Sequence, residues 1–179
     1  MIKVCILKET GYEEGLLGIS LSYGSELEKM PKRAEVLAHK QGGENKFLES
    51  ILVWIDISAP GYWWKQADTY RISTKQSEST MHTILKKPLT EDDFEMSLPE
   101  GWLETLNKMV DDKDFNWLIN CLHQGFIQRR IWCLSYKTLQ NIYSQRNAHK
   151  LLEWRDFCDA LVEQLQHPEF IGPITEGDK

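Results

Sequence analysis

A chain of 179 residues suits one compact domain. Hydrophobic residues at 41% and charged residues at 27% exclude wholesale disorder. A net charge of -6 excludes the basic field of a general nucleic-acid binder, but a local pair of arginines can still hold a small phosphorylated ligand. Cys5, Cys121, Cys133 and Cys158 form no CxxC pair, and no nearby histidine completes a zinc spacing. Four reduced core thiols in a cytoplasmic protein are the expectation. The opening residues are too short for a signal-peptide core, and no apolar run approaches the ~20 residues of a membrane span. No membrane partner and no metal site are expected.

In chain order, residues 2–8 alternate as a strand. Residues 13–23 place Leu16, Leu17, Ile19 and Leu21 at a modest helical spacing that stops at Gly24-Ser25. Residues 26–45 read as helix fragments or a mobile loop. Residues 47–57 are the strongest buried strand candidate, ended by Ala59-Pro60-Gly61. The run WWKQADTYRISTKQSESTMH follows over residues 63–82. Residues 86–99 are acidic and proline-bounded, an excursion, and the remainder is expected to be mainly helical. The helices are expected at 102–110, 114–124 with Asp114 as cap, 135–143 and 149–166. A single α+β domain over residues 1–170 with a polar tail at 171–179 is the economical organisation.

The chain lacks a phosphate loop, GxGxxG, HExxH and GxSxG, and its five histidines are scattered. Two features rise above this background. In the first, Gln66, Arg71, Thr74, Gln76 and Ser79 crowd into the polar run behind Trp63 and Trp64. The tryptophans read as core or subunit-interface anchors or as base-stacking groups. In the second, Arg129 and Arg130 precede Ile131-Trp132 between apolar segments read as helices. Arginine beside buried tryptophan is costly unless its charge meets an anion or a carboxylate. Both remain open: a phosphate held by forked guanidinium groups, or ion pairs with some of the 27 acidic residues. Arg155 lies on the polar side of its helix, either functional or merely solvated.

The polar run resembles the signature RHRxxSxNExSxRY, with a glutamine three residues before it, of the flavin-dependent thymidylate synthases of the ThyX type. Gln66, Arg71 and Ser79 match outright, and Thr74 and Gln76 keep the donor and acceptor types of serine and asparagine. Residues 4–25 resemble the family's opening strand and helix, and Phe47-Leu48-Glu49-Ser50 stands where the family has leucine-glutamate-histidine. Over residues 129–146, Arg129, Trp132, Leu139, Asn141 and Arg146 coincide with RFFW…NARSLxNFLxLR, with Lys137 for an arginine. His149, Glu153 and Arg155 keep the spacing of HAQWEIR. The motifs run in family order over residues 4–166.

The resemblance implies a ThyX-like α+β fold with a central, mostly antiparallel sheet and packed helices. It implies a homotetramer with FAD and dUMP at subunit junctions, and methylenetetrahydrofolate as one-carbon donor to uracil C5. By the same route Gln66, Ser79, Arg129 and Arg155 would contact the nucleotide, with Ser79 and Arg155 as the catalytic pair. Arg71, Thr74, Gln76, Lys137 and Asn141 would lie near the flavin or its phosphates. The chain departs at Thr69 and Tyr70, which replace arginine and histidine, and at Met81-His82, which replace arginine-tyrosine. Lys75 and His82 are cations that could restore some of that charge. The alternative is a non-catalytic relative that binds or sequesters nucleotides, or an interaction module.

Overall fold

The computed structural model describes residues 2–40 and 42–172. Strand β1 (Lys3–Thr10) and helix α1 (Tyr12–Tyr23) form where alternation and helical spacing predict them. Gly11 turns the chain between them at φ 91, and a Cβ there would sit 2.3 Å from the carbonyl oxygen of Ser50. Glycine is therefore required by conformation and by space. Gly24 ends α1 in the left-handed conformation. The polar stretch that follows contains α2 (Met30–Ala38), with Pro31 in its first turn. Residues Lys46–Glu49 form a single 3-10 turn, so the buried strand β2 starts later than its apolar pattern suggests, at Leu52–Pro60.

Beyond β2 come α3 (Gly61–Ala67), β3 (Ser73–Ser77) and the one-turn helix α4 (Thr80–Thr83). Helices α5 (Trp102–Asp111) and α6 (Phe115–Cys121) follow, and the Asp114 carboxylate caps α6 by accepting from Trp117 N at 3.2 Å. Strand β4 (Ile127–Ser135), α7 (Tyr136–Arg146) and α8 (Leu152–Gln164) complete the described elements.

Strand β4 corrects the helical reading of the second half. It pairs antiparallel with β2 on one side and β3 on the other, giving the order β1-β2-β4-β3. Its sequence hides the alternation because each face mixes types. Gln128, Arg130, Trp132 and Leu134 share the side that faces the core, while Arg129, Ile131 and Cys133 share the other. The two arginines thus lie on opposite faces of a central strand, not between helices.

One face of the sheet is buried. Val53, Ile55, Ile57 and Ala59 of β2 meet Trp132 and Leu134 of β4, and helices supply Trp63, Trp64, Trp154 and Phe157. The four tryptophans and Phe157 interlock, with Trp63 at 4.8 Å from Trp64 and 4.5 Å from Trp154 between ring centroids. These tryptophans are core. Phe170 and Ile171 are buried in the same cluster, and the remainder of the tail, 173–179, lies outside the described residues. On the free edge of β1 the Gln164 amide takes the place of a neighbouring strand. Ile6 N donates to its Oε1 at 3.0 Å, and its Nε2 donates to Val4 O at 3.1 Å.

Residues 80–126, inserted between β3 and β4, build a smaller core of Ile84, Leu89, Phe94, Leu106, Val110 and Leu118. This insertion carries four lysines against nine carboxylates and so holds five of the six net negative charges. The rest of the chain is near neutral, and the acidic total does not oppose anion binding at the sheet. Of the four free cysteines only Cys158 is buried, against the expectation of four core thiols, and burial pushes its thiol up to about 12. Among the described residues no helix is long and apolar enough to cross a membrane, and no group of three or more His, Cys, Asp or Glu could hold a metal ion.

Candidate functional site

Helix α7 begins where the Ser135 hydroxyl accepts from Thr138 N at 3.3 Å. That start sets the helix phase so that Lys137, Asn141 and Ser144 fall on one face. They line a cavity of about 850 Å³ whose opposite wall is the segment Thr69-Tyr70-Arg71-Ile72. Three of the five residues expected near the flavin, Arg71, Lys137 and Asn141, therefore meet in one place although 70 positions separate Arg71 from Asn141. The walls are fixed from behind. Tyr70 OH donates to Gln145 Oε1 and accepts from Arg146 Nε, both at 2.9 Å. Gln140 Nε2 donates to Ala38 O at 2.7 Å and to Phe170 O at 2.9 Å, which ties α7 to the end of α2 and to the C-terminal turn.

The cavity wall carries two cations, Arg71 and Lys137, and one carboxylate, Glu49. Hydroxyl, amide and tyrosine groups line the rest together with His39, Ile72 and Ile171. Such a donor set suits an elongated anionic ligand with a flat ring: guanidinium and ammonium for phosphate oxygens, amides for ring edges, Tyr70 and Tyr143 as apolar sides. FAD has this composition, so the residues present fit it.

The other expected flavin residues, Thr74 and Gln76, lie elsewhere. On β3 they oppose Cys133 and Ile131 and occupy the outer face of the sheet, the one turned from the tryptophan core. Arg129 stands on that same face, and Glu78 N donates to Arg129 O at 2.9 Å, which brings the neighbouring Ser79 to the same end of the sheet. The Arg129 guanidinium is 65% exposed and grips the Asp56 carboxylate, with Nε at 2.9 Å from Oδ1. Of the two readings left open for this arginine, the ion pair is the one formed in a single chain.

That hydrogen bond, aided by the arginine charge and opposed by partial burial, holds the Asp56 carboxyl below the usual carboxylate range. A depressed folded value means stability present above the unfolded carboxyl near pH ~4 and lost as pH falls through the folded value. An Asp56→Asn variant is expected to lose that part of the acid sensitivity, so its stability falls less steeply than that of wild type as pH drops below about 4. Thermal midpoints from pH 2 to 6 check it, and identical profiles for the two proteins would contradict it.

Gln66 and Arg155 join neither place. Gln66 Oε1 accepts from Trp154 Nε1 at 2.9 Å and from an Arg146 nitrogen at 3.2 Å, so its carbonyl serves the core. A glutamine beside tryptophans is explained by a buried indole N–H that needs an acceptor. Arg155 is exposed on α8 beside the buried Trp154. Residue patterns missed His39, Asn45, Tyr143 and Asn147 in the cavity wall, and no motif marks them. The Asp56 partner of Arg129 carried a faint signal, an isolated acid inside an apolar strand pattern.

No protein-family model matches the chain, and no curated protein sequence matches it. Solved structures do. The architecture is that of the ThyX proteins, an α+β fold with a four-stranded antiparallel sheet. Thymidylate synthase X from Helicobacter pylori, determined with FAD and dUMP, superposes with a TM-score of 0.79 at 16% identity, over 96% of this chain and 97% of that one. A second structure of the Helicobacter pylori flavin-dependent enzyme, also complexed with FAD and dUMP, gives a TM-score of 0.80 at 16% identity, over 94% of this chain and 97% of that one. At this identity the likeness establishes the fold.

Proposed function

We propose that this chain is a divergent, flavin-dependent thymidylate synthase-like protein that binds FAD and a pyrimidine deoxynucleotide of the dUMP type. The observation that carries the reading is the meeting of Arg71, Lys137 and Asn141 in one cavity of about 850 Å³. Arg71 and Lys137 would neutralise the cofactor's phosphates, and Asn141 would hydrogen-bond its ring or ribose. Bound flavin would supply the redox chemistry, hydride donation, which no side chain of the protein can supply.

The nucleotide would lie against the outer sheet face, where Arg129, Thr74 and Gln76 are near Ser79. Arg129 would turn from Asp56 to a phosphate, and Ser79 would donate a hydrogen bond to the pyrimidine. Gln66 reaches neither place in this chain, since its carbonyl is engaged by Trp154. Gln66 would orient α8, and with it Arg155, rather than read a base directly. An assembly of identical chains, a tetramer in the resembled family, would bring Arg155 and the outer face of different copies together. A cytoplasmic setting, with methylenetetrahydrofolate as one-carbon donor, belongs to the same reading.

Release of tritium from C5 of dUMP, with reduced FAD and methylenetetrahydrofolate present, tests the reaction directly. Release above the protein-free rate supports turnover. Absence of release, with dUMP and FAD both bound, supports the second reading, a non-catalytic nucleotide-binding relative. Two observations favour that second reading: Arg129 is satisfied by Asp56, and Thr69 and Met81 stand where the resembled signature has arginines.

A further inference from the structure

On the core side of the sheet edge, two cations share one carboxylate. Lys75 of β3 is 12% exposed, and its ammonium lies 4.5 Å from the centroid of Trp132. Arg130 of β4 is 15% exposed, and its guanidinium carbon lies 4.5 Å from the centroid of Trp64. Their common partner is Asp68, itself 51% exposed, at 3.1 Å from Arg130 and 3.8 Å from Lys75. The other partners are neutral: Gln128 Oε1 for Arg130 at 2.9 Å, Tyr70 O and Ser73 Oγ for Lys75, both at 3.3 Å. Arg130 Nε is buried with no hydrogen-bond partner.

Two desolvated cations facing one half-solvated carboxylate leave a net positive charge where water screens poorly. The aromatic faces of Trp64 and Trp132 offset part of that cost by cation–π attraction. Burial is also the leading reason the Lys75 amine is pushed below the ordinary lysine range, with Arg130 acting in the same direction and Asp68 against it. The charge is thus under-neutralised in the free protein, and the one neutralising group can swing into solvent.

We propose that Lys75 and Arg130 form an oxyanion site, specific for a phosphate or phosphate monoester, which Asp68 occupies when no ligand is present. The family segment has phenylalanine where this chain has Arg130, so the chain that lacks arginines at 69 and 81 carries an added cation here, beside Lys75. The site faces the core side, apart from Arg129 on the outer face, and it stands whether or not flavin binds in the cavity.

The test is calorimetric titration of the purified full chain with inorganic phosphate and, separately, with dUMP, at constant ionic strength set with chloride. Saturable binding of phosphate is expected. Asp68→Asn, which removes the competing carboxylate, should tighten it several-fold, and Lys75→Met should weaken it about tenfold. Lys29→Gln, a surface lysine paired only with Glu26, should change nothing. Tighter binding of dUMP than of phosphate, lost equally in Lys75→Met, assigns the site to an esterified phosphate; equal binding assigns it to the free ion. No saturable binding of either, or Asp68→Asn that binds no more tightly than wild type, overturns the proposal. Asp68→Asn keeps the test decisive if Lys75→Met fails to fold.

Discussion

Replacing Trp63 by alanine is expected to destabilise the protein by about 3–5 kcal/mol, a large share of the ~5–15 kcal/mol of a typical domain. Trp63 is fully buried and touches three elements of the core. It comes from α3, packs at 6.2 Å on Trp132 of β4, and meets Trp154 and Phe157 of α8 at 4.5 and 5.5 Å. Truncation leaves a void bounded by rings that cannot collapse inward without breaking the hydrogen bond from Trp154 Nε1 to Gln66. Trp63→Phe should cost much less, because it keeps most of the ring volume and removes an indole N–H that has no partner. Urea denaturation of the three proteins measures both differences. An alanine variant within about 1 kcal/mol of wild type would show that the tryptophan cluster is not the centre of packing.

The second large effect concerns binding. Arg71→Ala and Lys137→Ala together are expected to weaken FAD about 100-fold or more, while riboflavin, which lacks phosphate, should change little. Arg71 is exposed and Lys137 partly so, and neither forms an ion pair among the described residues, so the double variant should keep the wild-type thermal midpoint. Fluorescence titrations with the two flavins separate charge recognition from general damage. An equal loss for FAD and riboflavin would place the phosphates elsewhere, and no loss for either would remove both residues from the site.

The sequence made some of this legible for identifiable reasons. Strands β1 and β2 and helices α1 and α5 carry periodic apolar residues that end at glycine, proline or capping groups. Strand β4 was not legible because Arg130 and Gln128 alternate with Ile131 and Arg129. Only the fold reveals that the Arg130 guanidinium sits over the Trp64 ring, with its charge at the edge of the core. The cavity was half legible. Family resemblance singles out Arg71, Lys137 and Asn141, and the Ser135 cap of α7 accounts for Lys137 and Asn141 sharing one helix face, while Arg71 comes from the segment before β3. His39 and Asn45 could not be found that way, since they reach the cavity through the end of α2 and the turn after it. Gln66, matched to the resembled signature as a nucleotide contact, has its carbonyl oxygen engaged by the buried indole N–H of Trp154 in the single chain.

Titration of the purified full chain with FAD, followed by flavin fluorescence quenching and by the mass of the complex in solution, tests the central claim most directly. The account predicts saturable binding at one flavin per chain, in an assembly larger than a monomer, with loss of binding in the Arg71→Ala, Lys137→Ala double variant. A chain that stays colourless, quenches no flavin fluorescence and gains no thermal stability with FAD would contradict it.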